Sequence, residues 1–357
     1  MTVDLTQRLA DATIGTLELY AVHLGRRLGL YDALDRHGPQ TPPELARQAG
    51  IHPRYAREWL EQQAVAGYLA VAEPDAGDPG DPDARRFALP AEHRGALVDP
   101  IDGDHLAPFA AMVVGVAGAL DDVVEAYRSG SGVPYTRYGA DFRHGQGGIN
   151  RPAFTSDLVK SWLPAVAGVT ERLSSPGARV VDVGCGLGWS AIAVKATWPT
   201  ADVVGLDTDA ASIDDARRHA ARAGVDVRFA VPTPGDARLA DQGPADVVLV
   251  LEALHDMADP VGVLTAARQA LRPGGLVVIA DEAVAADFTA PGDDLERMMY
   301  GWSVTHCLPA SMAETPSAAL GTALRLGTVA KLAAAAGFGS CEVVDVDAGF
   351  FRLYRLA

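Results

Sequence analysis

Residues Val180–Gly188 read Val-Val-Asp-Val-Gly-Cys-Gly-Leu-Gly, an apolar run that is broken by glycines at every second position. The residues that follow, 190–197, have the composition of a helix. A buried strand, a tight glycine turn and a helix together form the first half of a βαβ unit. Glycine suits this turn because a sharp bend needs positive φ angles and a ligand must reach bare backbone. The segment therefore predicts a parallel α/β sheet that binds a ligand at the turn.

A second apolar run, residues 203–206, ends in Asp207. An acidic side chain at the tip of the second strand is where dinucleotide-type sites hold a ribose diol. Trp189 occupies the position at which a nicotinamide-binding fingerprint requires its third glycine, and no lysine follows the glycines as it would in a phosphate-binding P-loop. The spacing thus disfavours a nicotinamide oxidoreductase and a P-loop protein.

Residues Asp182–Gly188 match the pattern Asp/Glu-x-Gly-x-Gly-x-Gly at every position. In this the chain resembles the class I S-adenosylmethionine-dependent methyltransferases. The resemblance implies an α/β fold with a Rossmann-like seven-stranded sheet, S-adenosyl-L-methionine as the cofactor and S-adenosyl-L-homocysteine as the product. It also implies the cofactor-binding residues, which are Asp182, Gly184, Cys185, Gly186, Gly188, Asp207, Thr208, Thr233, Asp236, Ala237, Leu251 and Glu252. Thr233 and the Asp236-Ala237 dipeptide are alternatives for the adenine contact, because the dipeptide comes late after the third strand.

Length, charge and cysteine usage narrow the class of protein. The 357 residues are enough for two domains, and the net charge of −16 disfavours nucleic acid and anionic membranes as partners. The three cysteines are scattered, which favours neither a disulfide framework nor a zinc site and indicates a reducing cytoplasm. We therefore expect no bound metal. The longest apolar run, residues 107–120, is too short to cross a bilayer.

The first hundred residues predict a winged helix. Helices are expected over residues 5–34, 45–49 and 53–65, and strands over 67–71 and 86–89 around the loop 74–83. The second helix is expected to start at a capping box, Thr41-Pro42-Pro43-Glu44, with proline at its first position. Residues 1–95 contain ten arginines and no lysine against fourteen acidic residues, which disfavours a DNA-binding regulator. Small-molecule methyltransferases often carry such a domain. The resemblance therefore implies that residues 1–100 mediate dimerisation of the chain and cover the substrate.

The rest of the chain is predicted as a helical bridge, residues 101–175, and a cofactor-binding domain, residues 176–357. In the bridge we expect helices over 107–127 and 152–173, with loops over 134–138 and 145–150; Tyr138, Asn150 and Arg151 are candidates for the amino-acid end of the cofactor. In the domain we expect strands at 179–183, 203–206, 226–230, 246–251, 275–280, 341–345 and 350–354. Helices are expected over 209–223, 260–271 and 327–336, and residues 284–322 form an insertion.

The catalytic candidate is His255, which follows the fourth strand. Its surroundings resemble the Leu/Cys-His-Asp-x-x-Asp segment of plant-type O-methyltransferases, in which the histidine is the general base. The resemblance implies that a carboxylate after the fifth strand, Asp281 or Glu282, orients the imidazole. A neutral histidine can take a proton as a hydroxyl becomes a nucleophile. The alternative is a histidine that only packs beside the cofactor.

The insertion is expected to complete the acceptor pocket. The predicted pocket residues are Tyr138, Met299, Trp302 and His306. His306 is the second-choice base, and Cys307 has no evident partner that would make it a nucleophile. Together these features predict a cytoplasmic, homodimeric enzyme that methylates a small organic molecule, with oxygen as the favoured atom. N- or C-methylation by proximity, without His255 as a base, stays open.

Overall fold

The computed structural model describes residues 4–72, 81–232 and 243–357. The chain divides into two compact units, one made of residues 1–117 and 141–152 and the other of residues 118–140 and 153–357. The helices are α1 Leu5–Arg27, α2 Leu30–His37, α3 Pro42–Ala49, α4 Pro53–Val65, α5 Arg94–Leu97, α6 Pro108–Ser129, α7 Gly139–Pro152, α8 Leu163–Ala165, α9 Val169–Leu173, α10 Trp189–Thr197, α11 Ala210–Ala223, α12 Pro260–Ala270, α13 Asp294–Trp302, α14 Leu308–Ser311 and α15 Leu326–Ala335. The strands are β1 Ala70–Val71, β2 Phe87–Ala88, β3 Arg179–Val183, β4 Asp202–Leu206, β5 Arg228–Ala230, β6 Ala245–Leu251, β7 Leu271–Glu282, β8 Cys341–Val343 and β9 Phe351–Leu356.

The first unit begins with two helices where the sequence predicted one over residues 5–34. That prediction is wrong, because Gly29 has a φ of 67° and a right-handed helix cannot continue through a left-handed residue. The third helix begins as predicted, at a capping box made by Thr41 and Glu44.

The helices of this unit pack through aromatic side chains, and its two strands form the predicted wing. The Tyr31 and Trp59 rings meet edge to face with their centroids 5.1 Å apart. An added Cβ on Gly25 would lie 2.5 Å from both rings, so α1 needs glycine at this contact. β1 pairs antiparallel with β2. Most of the loop predicted between them, residues 74–83, lies outside the described residues.

The second unit is built on a seven-stranded sheet with the order β5-β4-β3-β6-β7-β9-β8. The first five of these strands run parallel, and β9 is antiparallel to both of its neighbours. This topology confirms the predicted Rossmann-like seven-stranded sheet. Because β3, β4, β6 and β7 are parallel, the residues that follow them share one edge of the sheet, where ligands bind in open α/β folds.

The central strands are buried on both faces, as parallel strands covered by helices should be. Alternate residues of β3, β6 and β7 enter two different hydrophobic clusters: Val180, Val247 and Val278 face one, and Val181, Val248 and Ile279 face the other. All six side chains are fully buried. Each contributes about 1.5–3 kcal/mol relative to an exposed position, so the sheet edge is a rigid platform.

Two predictions for the bridge region are wrong. Residues 145–150, expected to be a loop, lie inside α7. Their glycines allow close helix packing: a Cβ on Gly145 would lie 2.8 Å from the Met112 backbone nitrogen, and one on Gly148 would lie 3.0 Å from Pro108.

The helix expected over residues 152–173 is interrupted. It is π-helical over Ala153–Trp162, and α8 and α9 follow as separate short helices. Gly168 separates α8 from α9 with a φ of 81°. A second π-helical segment, Ser303–Cys307, lies in the insertion. Among the described residues, no helix combines the length and apolar character that a membrane span requires.

Candidate active site

The glycine turn after β3 is held by backbone hydrogen bonds to the neighbouring strand. The N–H groups of Gly184 and Cys185 both donate to the carbonyl of Leu206, at 2.8 and 3.0 Å. All three glycines have a positive φ, which is 74° at Gly184, 49° at Gly186 and 80° at Gly188. The backbone conformation therefore favours glycine at each of these positions.

The three glycines differ in what surrounds them. An added Cβ on Gly184 would lie 2.6 Å from Ala253 Cβ, and one on Gly188 would lie 2.7 Å from the ring of Phe229. Among the described residues, no atom lies within 4 Å of a Cβ on Gly186. The middle glycine therefore faces open space that a ligand can enter, while the outer two permit close packing.

Asp207 supports the turn from the tip of β4. Its Oδ2 accepts a hydrogen bond from the N–H of Gly186 at 2.8 Å, and its Oδ1 accepts one from the N–H of Asp209 at 2.8 Å. Each carboxylate oxygen has two lone pairs, so each can also accept a ligand hydroxyl. Burial raises the pKa of Asp207 to about 6. The carboxylate thus lies directly beside the glycine that faces open space.

Asp182 is the buried acidic residue at the end of β3. It accepts a hydrogen bond from the hydroxyl of Ser190 at 2.5 Å, a contact that the sequence analysis missed. Burial, together with the charge of Asp207, raises the pKa of Asp182 to about 7. The side chain of Cys185 is buried in the hydrophobic core, so this residue can offer a ligand only its backbone.

The end of β6 carries a strained residue. Glu252 has a φ of 49°, and among the described non-glycine residues only Ala319 shares this property. The N–H of Glu252 donates to the carbonyl of Ala280 at 2.7 Å, while Leu251 before it is buried. Such a conformation costs about 1–3 kcal/mol and persists where the surrounding structure imposes it, often at functional sites.

His255 lies in the single helical turn, Leu254–Asp256, that follows β6, and this residue is 1% exposed. Its Nδ1 is 2.8 Å from Oδ1 of Asp281 and 3.6 Å from Oε2 of Glu282. The parallel register of β6 and β7 pairs Leu251 with Ala280, which brings together the residues that follow both strands. An ionised carboxylate can only accept a hydrogen bond, so Nδ1 carries the proton and Nε2 points away from Asp281.

The charges around His255 favour its protonated form. Burial lowers the pKa of His255, but the carboxylates of Asp281, Asp256 and Glu282 outweigh burial and raise this pKa well above 6.5. Burial would raise the pKa of Asp281, yet its contact with the imidazole holds that pKa below the usual value. Burial raises the pKa of Glu282 well above 4.5. The arrangement therefore gives the imidazole a high proton affinity.

An aromatic cluster lies next to this group. The rings of Tyr138 and His306 meet edge to face with centroids 4.4 Å apart, and the Tyr138 hydroxyl donates to the carbonyl of Thr305 at 3.0 Å. The Nδ1 atom of His306 is 3.4 Å from Sγ of Cys307. Burial, together with the charge of His255, lowers the pKa of His306 to about 3. His306 is therefore neutral at pH 7 and a much weaker base than His255.

The other predicted site residues lie in different environments. Met299 on α13 is buried and Trp302 at its end is half-buried, whereas Thr208 is exposed. The predicted adenine contacts fall outside the described residues; they are Thr233, Asp236 and Ala237.

Two residues that lie beside His255 and His306 are not predicted as site residues from the sequence. Oδ1 of Asp256 is 3.4 Å from Nε2 of His255, and the ring of Tyr135 is 5.6 Å from that of His306. The His-Asp dipeptide was a usable signal for Asp256. Nothing in the local sequence pattern marks Tyr135.

Comparison with known proteins identifies two regions of the chain. Residues 174–321 match the family described as a methyltransferase domain, and residues 16–98 match the Rv2258c-like winged HTH domain. A curated relative, the ubiquinone biosynthesis O-methyltransferase of Cereibacter sphaeroides, is 39% identical over 110 residues, which cover 30% of this chain and 43% of the relative. The chain spans less than half the length of the curated relatives it matches.

Solved structures resemble the whole chain. A putative O-methyltransferase from Nostoc punctiforme has a TM-score of 0.69 at 17% identity, with 100% of this chain and 99% of that chain covered. Human N-acetylserotonin methyltransferase in complex with SAM has a TM-score of 0.71 at 15% identity, with 99% of this chain and 98% of that chain covered. At such identities the likeness shows a shared fold.

Proposed function

We propose that this chain, which carries a methyltransferase domain of the class I fold together with a winged helix-turn-helix domain, is an S-adenosylmethionine-dependent methyltransferase of small organic molecules that acts at oxygen. The observation that carries the proposal is the glycine turn, in which Gly186 faces open space directly beside the carboxylate of Asp207. The similar proteins support this reaction, since they include a ubiquinone biosynthesis O-methyltransferase, a putative O-methyltransferase and a methyltransferase in complex with SAM.

In this proposal the turn and Asp207 hold the adenosine of the cofactor. Asp207 accepts hydrogen bonds from the ribose hydroxyls, each contributing about 1.5–3 kcal/mol because the acceptor is charged. Bare backbone at Gly186 approaches the amino-acid part of the cofactor, and Leu251 and Glu252 line the same edge of the sheet. The adenine contact, from Thr233 or from Asp236 and Ala237, is part of the proposal as well.

His255 acts as the general base. The proton on Nδ1 is hydrogen-bonded to Asp281, so Nε2 is the atom that accepts the proton of the acceptor hydroxyl. Because the pKa of His255 is raised well above 6.5, the imidazole must first lose its Nε2 proton, so the rate of methyl transfer should rise with pH. The methyl group then moves in line from the sulfonium to the oxygen, while Tyr138, Met299, Trp302 and His306 hold the acceptor. This step needs no covalent enzyme intermediate, because the protein orients the reactants and excludes water.

Cofactor binding tests the first part of the proposal. S-adenosylhomocysteine is titrated by calorimetry into the wild type and into Asp207→Asn and Asp207→Ala. We expect at least a tenfold loss of affinity in Asp207→Ala, which is about 1.4 kcal/mol. Asp214→Ala is the matched control, because Asp214 is an exposed carboxylate on α11 that pairs with Arg217. Unchanged affinity in Asp207→Ala would remove the assignment of this residue.

We also propose that the winged-helix domain forms a homodimer. Six large apolar side chains along and just after α1 are exposed: Leu5, Leu9, Ile14, Leu17, Leu24 and Leu28. A second copy of the chain would bury them. The three free cysteines support a cytoplasmic location, where thiols stay reduced.

A further inference from the structure

Three atoms of the kind that bind transition metals surround one point beside the proposed base. A ring nitrogen of His255, a carboxylate oxygen of Asp256 and Sγ of Cys307 all lie within 4.8 Å of one another. The nitrogen on this side is Nε2, which is 3.4 Å from Oδ1 of Asp256. Tetrahedral zinc, with bonds of about 2.0–2.3 Å, separates its ligand atoms by about 3.3–3.7 Å. The nitrogen and the oxygen already have this spacing, and the thiol sulfur lies within 4.8 Å of both.

The histidine is oriented as a metal ligand. Its Nδ1 is 2.8 Å from Oδ1 of Asp281, and a carboxylate behind a metal-binding histidine fixes the tautomer, so the opposite nitrogen presents its lone pair once its own proton is lost. Oδ1 of Asp256 is buried and has no hydrogen-bond partner in the part of the chain that the structure describes. A cation between these two atoms would satisfy both.

We propose that His255, Asp256 and Cys307 bind a divalent cation of the zinc class, with one coordination position left open. Nitrogen, oxygen and sulfur ligands together favour zinc over magnesium and calcium, which take oxygen ligands. The Asp256 side chain is 25% exposed, although its Oδ1 atom and the other two ligands are buried. On binding, the thiol proton of Cys307 and the Nε2 proton of His255 both pass to solvent, because the thiolate and the neutral imidazole are the ligands.

A second group, His255 with Asp281 and Glu282, also brings three such side chains together. It fits a cation less well, because the proton of Nδ1 already lies between the imidazole and Asp281. A cation bound by His255, Asp256 and Cys307 leaves the hydrogen bond between Nδ1 and Asp281 intact. We therefore assign the cation to the Nε2 side of the imidazole.

The site predicts how zinc affects the enzyme. A cation on Nε2 occupies the atom that takes the proton of the acceptor, so zinc and base catalysis exclude each other. This consequence rests on the proposed function. Binding of the cation does not depend on the proposed function, because cation binding is measured without any methyl acceptor.

The test uses metal-free full-length protein titrated with Zn²⁺ by calorimetry and with Co²⁺ by absorption spectroscopy. We expect one ion per chain and a thiolate-to-cobalt charge-transfer band, which Cys307→Ser abolishes. Asp256→Asn is a second variant of nearly unchanged shape, and we expect it to weaken Zn²⁺ binding at least tenfold. Cys341→Ser is the matched control, because it removes a half-buried thiol from β8 and should leave stoichiometry and band unchanged.

Absence of stoichiometric binding by the wild type overturns the proposal, and so does a charge-transfer band that survives in Cys307→Ser. Circular dichroism of each variant confirms that the chain is folded. If Zn²⁺ binds as expected but S-adenosylhomocysteine does not bind, the proposed function fails while the metal site stands.

Discussion

Replacing Gly186 by alanine separates the cost of backbone strain from the loss of space for a ligand. Gly186 has a φ of 49°, and a residue with a Cβ pays about 1–2 kcal/mol in this left-handed region. The new methyl group meets no described atom within 4 Å, so no steric cost is added in the free protein. We therefore expect Gly186→Ala to lose about 1–2 kcal/mol of unfolding free energy and to remain folded.

Gly224 provides a matched control. It ends α11 with a φ of 67°, and an added Cβ there also meets nothing within 4 Å among the described residues. Gly224→Ala should lose a similar free energy of unfolding. Gly188→Ala should lose about 1–3 kcal/mol more, because its Cβ would lie 2.7 Å from Phe229 and 2.8 Å from Ala216.

The variants should differ most in cofactor binding. Denaturant unfolding gives the free energy of each, and calorimetry with S-adenosylhomocysteine gives its affinity. We expect at least a tenfold weaker affinity in Gly186→Ala and an unchanged affinity in Gly224→Ala. If Gly186→Ala binds S-adenosylhomocysteine as tightly as the wild type, the cofactor does not approach this backbone and the reasoning from the turn is wrong.

Three further predictions concern the base, pH and assembly. His255→Ala should lower kcat about 10²–10⁴-fold in a methyl-transfer assay, and retention of more than a tenth of kcat would favour methylation without a base. The pKa values of Asp182 and Asp207, about 7 and 6, lie above those of the unfolded chain, so the folded protein holds extra protons between pH 4 and 7. Its stability should fall as pH rises through this range, by up to about 1.4 kcal/mol per pH unit for each group, and the slope measured by denaturant unfolding should shrink in Asp207→Asn. The double variant Leu9→Glu/Leu17→Glu should be monomeric by light scattering if α1 forms the dimer interface, and a dimer that survives would exclude this face.

The local sequence pattern is sufficient to predict the elements that depend only on residues near each other in the chain. The strand, glycine turn and helix around Gly186 depend on neighbouring residues only, and so does the capping box at Thr41. Glycine fails as a local signal where it serves packing. The local pattern predicts a loop at Gly145, because it does not show that Met112 approaches this glycine within a helix pair.

The amino-acid sequence by itself determined the class of fold, the glycine turn, the acidic residue at the tip of β4 and the identity of His255 as the catalytic candidate. The fold class, the turn and the acidic residue follow from spacing within about thirty residues, which hydrophobic period and turn chemistry encode directly. His255 is a candidate because its surroundings resemble a segment of the plant-type O-methyltransferases. Only the tertiary structure decided that Asp281 holds Nδ1, that His306 is buried against Tyr138 and that Cys307 approaches Asp256. Such contacts join distant segments, and they depend on sheet register and on helix packing rather than on the pattern of any one segment.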